Sequence, residues 1–77
     1  MSSAIDVVRA LVARSGVGAR ELSRRIGRNQ TYIGVITSKQ TRVGAGLLAR
    51  VADACGCDLV VIDKATGERV ARVDPAD

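Results

Sequence analysis

Gln30 and Thr31 are the side chains of this sequence whose types and spacing point most clearly to chemistry. Arg28 and Asn29 precede them, and Lys39, Gln40, Thr41 and Arg42 follow. That chemistry is recognition rather than reaction. A glutamine amide can bond an adenine edge at N6 and N7 together, and a threonine offers a methyl to thymine or a hydroxyl to a base. Arginine, lysine and short polar side chains grip phosphate oxygens. The groups of a reacting centre are scarce by comparison. The chain has no His, its two cysteines lie at a helix end, and its acidic residues form no spaced pair on one predicted face. No enzyme activity is expected. A disulfide between Cys55 and Cys57 would be strained, and a zinc site needs about four ligands. Neither a metal nor a cofactor is therefore expected, and Cys55 reads as a small core residue.

The segment Arg20–Lys39 must position these groups. It reads as two short helices, about residues 19–26 and 30–38, joined by a tight turn. Leu22 and Ile26 recur at helical spacing, as do Ile33 and Ile36. Ser23, four residues before Gly27, is small enough for two helices to cross closely. Gly27 supplies the positive φ that ends the first helix, and Asn29 is placed to cap the second. In a helix-turn-helix the start of the second helix enters the DNA major groove. Base contacts are then expected from Gln30 and Thr31, and a turn later from Gly34 and Val35. A glycine at position 34 weakens the helix, which suggests close approach of DNA or of the preceding helix. Tyr32, the lone aromatic, is expected to point off the core towards the groove wall or DNA backbone. Backbone contacts are expected from Arg28, Asn29, Tyr32, Lys39, Gln40, Thr41 and Arg42, helped by free N–H groups at the start of the second helix.

These residues resemble the Xre/Cro/phage-repressor family of helix-turn-helix proteins. The family pattern is ELxxxLGxSxxxIxxIExGK followed by a helix ending in glycine. Here it is carried by Glu21, Leu22, Ile26, Gly27, Asn29, Ile33 and Ile36, then by Leu48 to Gly56. The chain departs from the pattern at Gly18, where a capping Thr or Ser is usual. It departs again at Ala19, often a phosphate-binding Gln, and at Thr37 and Lys39, which replace Glu and Gly. The resemblance implies a mainly α fold, a four-helix repressor-like domain over residues 1–57 acting on double-stranded DNA. It also implies a phage-type repressor or the antitoxin half of a toxin–antitoxin pair.

Charge follows the same division. Residues 1–57 carry nine Arg/Lys against three Asp/Glu, whereas residues 58–77 carry three against five. The surplus of positive charge sits on the segment expected to meet phosphates. Aromatics are nearly absent, with one Tyr and no Phe or Trp, so the core must be built from Leu, Ile, Val and Ala. No apolar run approaches the length of a membrane span. The start, an amphipathic pattern of Ile5, Val8, Leu11 and Val12, lacks the form of a signal peptide. A cytoplasmic protein without membrane partners is expected.

The first helix should run over about residues 4–14, capped by Ser2 or Ser3. The fourth should run over about 45–55, burying Leu48, Val51 and Cys55 before Gly56 ends it. The pattern then changes to strands. Leu59-Val60-Val61-Ile62 is mostly β-branched, residues 68–74 also read as a strand, and Lys64–Gly67 forms the hairpin loop. Residues 58–77 are therefore a β-hairpin with a short tail, frayed at Ala76 and Asp77. A lone two-stranded hairpin is marginal in water, and its first strand is apolar on both faces. Leu59, Val60, Val61, Ile62 and Val70 are thus expected to join two copies of the chain. A domain this small also gains from oligomerising.

The function expected is a sequence-specific transcriptional repressor, a homodimer on a palindromic operator. The alternative is an antitoxin or adaptor whose main partner is a toxin or other protein.

Overall fold

The computed structural model describes residues 3–76 and is mainly α, with four helices followed by a two-stranded antiparallel hairpin. The helices are α1 (Ala4–Ser15), α2 (Gly18–Arg25), α3 (Tyr32–Ser38) and α4 (Ala45–Ala54); the strands are β1 (Leu59–Ile62) and β2 (Arg69–Val73). None of the described helices is long and apolar enough to cross a membrane.

Local signals set the helix ends. Ser3 accepts from the Asp6 N–H at 3.1 Å while Asp6 accepts from the Ser3 N–H at 3.2 Å, a reciprocal capping box. Ser2, the other candidate cap, lies outside the described residues. Gly27 takes φ 79°, so α2 ends in a Schellman turn with Gly27 N–H on Arg24 O and Arg28 N–H on Ser23 O. Gly18 opens α2 at φ 83°. A Ser or Thr would resist that conformation; Gly18 is therefore the first residue of the helix, and Val17 before it makes no side-chain cap. The end of α4 repeats the Schellman pattern, with Gly56 N–H on Asp53 O and Cys57 N–H on Ala52 O.

Val8, Leu22, Ile26, Ile33 and Val51 pack into one cluster, so all four helices contribute to the core. Ile5 and Ile36 are also buried. The buried stripe of α4 is rotated from the one expected: Ala49, Val51 and Ala52 are buried, while Leu48 and Cys55 pack at its edge. The Cys55 thiol donates towards Leu11 O at 3.6 Å, and burial pushes its pKa up, as suits an inert packing residue.

The hairpin pairs Leu59 with Val73, Val60 with Arg72, Val61 with Ala71 and Ile62 with Arg69. The register shifts between Val61 and Ile62, which leaves Val70 as the extra residue of a bulge. At the loop, Asp63 accepts from the N–H groups of Ala65 and Thr66 at 2.8 and 3.1 Å, and Gly67 takes φ 75°. Those N–H donors lower the Asp63 pKa.

The chain beyond β2 is not frayed at Ala76. Its N–H donates to Gly46 O at 3.0 Å, and its methyl lies 2.8 Å from where a Cβ on Gly46 would stand. The first turn of α4 is therefore a docking point for the end of the chain. Asp77 lies outside the described residues.

Candidate nucleic-acid interface

The unit α2–turn–α3 is locked by Ser23. Its side chain is fully buried. The hydroxyl donates to Ala19 O at 2.7 Å and accepts the Ile33 N–H at 3.0 Å, joining the two helices by one atom. A small residue was expected here to permit close crossing. The hydrogen bond across the crossing is a further role, visible only once the helices are in place.

The start of α3 differs from the sequence expectation. The helix begins at Tyr32, so Gln30 and Thr31 belong to the turn before it. The cause is Asn29. Its side-chain oxygen accepts from both the Thr31 N–H and the Thr31 hydroxyl at 2.9 Å, and its carbonyl accepts from Tyr32 N–H at 2.9 Å. This Asx turn competes with an earlier helical turn. It also narrows the expected anion site, since the N–H groups of Thr31, Tyr32 and Ile33 have acceptors within the chain.

Thr31, Gly34 and Val35 are exposed, whereas Ile33 and Ile36 are buried. One face of this short helix thus anchors the unit and the other meets solvent. A Cβ on Gly34 would meet nothing within 4 Å. Approach of the preceding helix therefore does not account for this glycine.

Gln30 is half-buried rather than fully exposed. Its Oε1 accepts from Arg24 Nη2 at 2.9 Å, and Arg24 Nη1 lies 3.5 Å from Glu21 Oε1. Arg25 pairs with the other oxygen of Glu21 at 3.3 Å. The amide of Gln30 keeps its N–H donors and a second lone pair for a ligand, while Arg24 fixes its orientation.

Tyr32 is corrected too. It is half-buried and packs against the core cluster, with the Arg28 guanidinium stacked 5.0 Å from its ring centroid. With a single aromatic and a small core, the ring is used for packing rather than held clear of it. Arg28 is thereby partly tied to the turn.

Lys39, Gln40, Thr41 and Arg42 are exposed in the loop after α3. Gln40 takes φ 52°, and the Thr41 N–H closes onto Ile36 O at 3.0 Å. The left-handed position is therefore Gln40, one residue after Lys39. Two arginines outside the expected interface have backbone partners. Arg9 Nη2 donates to Thr37 O at 2.8 Å, tying α1 to the last turn of α3, and Arg50 Nη1 reaches Ile26 O at 3.5 Å. The sequence signal for Arg9 is its place beside the apolar stripe of α1, next to Val8 and four residues after Ile5, both buried. Arg9 and Arg42 also border an open cleft of about 500 Å³ between α1 and the loop.

Arg24 reaches Gln30 before α3, Arg28 stacks on Tyr32 at its first residue, and Lys39 and Arg42 follow it exposed. No carboxylate lies between Arg28 and Arg42 in sequence. The chain matches no family model, no curated protein and no solved structure.

In the hairpin, Leu59 and Val60 are half-buried, while Val61, Ile62 and Val70 are 51%, 48% and 64% exposed. The side of β1 that carries Val60 and Ile62 is not wholly bare. Asp58 draws Arg72 and Arg69 across that side at 2.9 and 3.2 Å, and Arg72 reaches on to Asp53 of α4 at 4.0 Å. Those hydrogen bonds, that from Arg72 above all, lower the Asp58 pKa.

Proposed function

We propose that this chain is a sequence-specific DNA-binding regulator, a repressor-like helix-turn-helix protein acting as a homodimer on a palindromic operator. The observation that carries the reading is the Ser23 lock. It holds α3 on α2 by its buried side and leaves Thr31, Gly34 and Val35 exposed, with the half-buried Gln30 beside them. In this reading Gln30, oriented by Arg24, meets a base edge. Thr31 and Val35 supply methyl contacts to thymine, and the bare backbone at Gly34 lets the duplex come close. Lys39, Gln40, Thr41 and Arg42 hold phosphates, with Arg28 and Asn29 at the turn and the Tyr32 hydroxyl beside them. Binding, not catalysis, is the activity.

Salt dependence tests the reading. Each neutralised phosphate contributes about −0.9 to the slope of log affinity against log salt. Lys39→Ala and Arg42→Ala should each weaken binding to every duplex and make that slope shallower by about one. Unchanged slopes in both variants would remove the loop from the interface.

A second reading has its own observation. The exposed Val61, Ile62 and Val70 would also suit an antitoxin or adaptor that docks a protein partner. On that reading scrambled duplexes would bind as well as any operator.

A further inference from the structure

Among the described residues the sheet holds β1 and β2 alone, so the outer edge of β1 has no strand neighbour there. The orientation of its backbone groups follows from the loop. The Asp63 N–H donates to Glu68 O across the hairpin at 2.8 Å, so residue 63 faces β2. By the period of two, residues 61 and 59 do the same. The N–H and C=O groups of Val60 and Ile62 therefore point to the open edge. β1 carries no charge and no bulge. The edge of β2 is blunted by the Val70 bulge and by Arg69 and Arg72, features that resist edge pairing.

We infer that β1 pairs antiparallel with β1 of a second copy about a two-fold axis at Val61, giving a four-stranded sheet across the dimer. This rests on the self-association in the function proposed above and specifies its contact. The outward N–H and C=O groups allow axes at Val60, Val61 or Ile62. Only the axis at Val61 sets Val60 and Ile62 opposite each other and, beyond them, brings unlike charges together. Val61 then meets its own image in a non-hydrogen-bonded pair. Val61 and Ile62, each about half exposed in the single chain, both gain apolar cross-strand partners. Just beyond the strand ends, the same register brings Asp58, which also bonds Arg72 and Arg69 of its own chain, towards the turn residue Lys64 of the second copy, and Lys64 towards Asp58. Unlike charges thus adjoin at both ends of the pairing. Pairing β2 with its own image would instead bring arginines together.

Cysteine crosslinking in a Cys55→Ala, Cys57→Ser background tests the register. Cα atoms of a non-hydrogen-bonded pair lie about 4.5 Å apart, within disulfide reach. Val61→Cys should form a covalent dimer on mild oxidation. Val60→Cys and Ile62→Cys should do so poorly, since each is two residues from its own image and about 7–8 Å away. Lys64→Glu, on an exposed loop, should leave the melting temperature unchanged and raise the dimer dissociation constant several-fold in sedimentation. A sedimenting dimer in which Val70→Cys crosslinks and Val61→Cys does not would overturn this pairing while leaving the homodimer intact. A monomer at micromolar concentration would overturn both.

Discussion

Removing the Ser23 hydroxyl tests whether one buried atom holds the candidate interface in place. In Ser23→Ala the Ala19 carbonyl loses only an additional donor. The Ile33 N–H loses its acceptor, and Ile33 is fully buried. A buried donor left without a partner costs about 1–3 kcal/mol. The better helix propensity of alanine returns about 0.5 kcal/mol, so the net loss should be about 0.5–2.5 kcal/mol. For a domain of this size each kcal/mol moves the melting temperature by about 4–8 °C, and a fall of about 2–20 °C is expected by circular dichroism. Ser38→Ala is the control. Its hydroxyl is exposed and bonds only Val35 O within its own helix, so it should melt within a degree or two of the parent. Amide exchange at Ile33 should also quicken in Ser23→Ala. An unchanged melting point with unchanged Ile33 protection would refute the lock and, with it, the rigid placement of α3.

Three further outcomes follow from the same geometry. Gly34→Ala should stabilise the fold by about 0.5–1 kcal/mol, because nothing in the chain meets the added methyl, yet weaken DNA binding. A rise in both melting point and affinity would take this face out of the groove. Gln40→Gly should raise stability by about 0.5–1 kcal/mol in urea titration, by relieving a left-handed residue; a loss would mean that the Gln40 side chain has a compensating contact. Asp58 and Asp63 have depressed folded-state pKa values. Their contribution is therefore complete above the ordinary carboxyl value of 3.8 and is lost as pH falls through the lower folded-state values. The urea midpoint should drop less in acid for Asp58→Asn/Asp63→Asn than for the parent, and equal drops would exclude this linkage.

Much of the frame was legible in the residues themselves. Periodicity placed four helices within a residue or two, and Gly27, Gly56 and Gly67 marked turns that they indeed make. The β-branched Leu59–Ile62 run marked a strand. These signals are local, carried by φ preferences and side-chain period. The departures came from contacts between distant residues. Gln30 is held by Arg24 from the preceding helix, and Arg9 reaches Thr37 across a long stretch of sequence. Ala76 docks on Gly46 through a backbone bond that no side-chain pattern announces. The shorter α3 has a local cause, the two-armed grip of Asn29 on Thr31. In sequence that grip is hard to separate from an ordinary helix cap.

The central claim is that the outward side of α3 reads DNA sequence, and selection of bound duplexes from a random library tests it most directly. The parent chain and Gln30→Ala would be selected in parallel, with thermal melting as a control on folding. The parent should enrich a two-fold symmetric motif. Gln30→Ala should enrich the same motif with one base pair per half-site relaxed, at a cost of about 1–3 kcal/mol on the best sequence. No enrichment by the parent chain, or an identical preference in both forms, would contradict it.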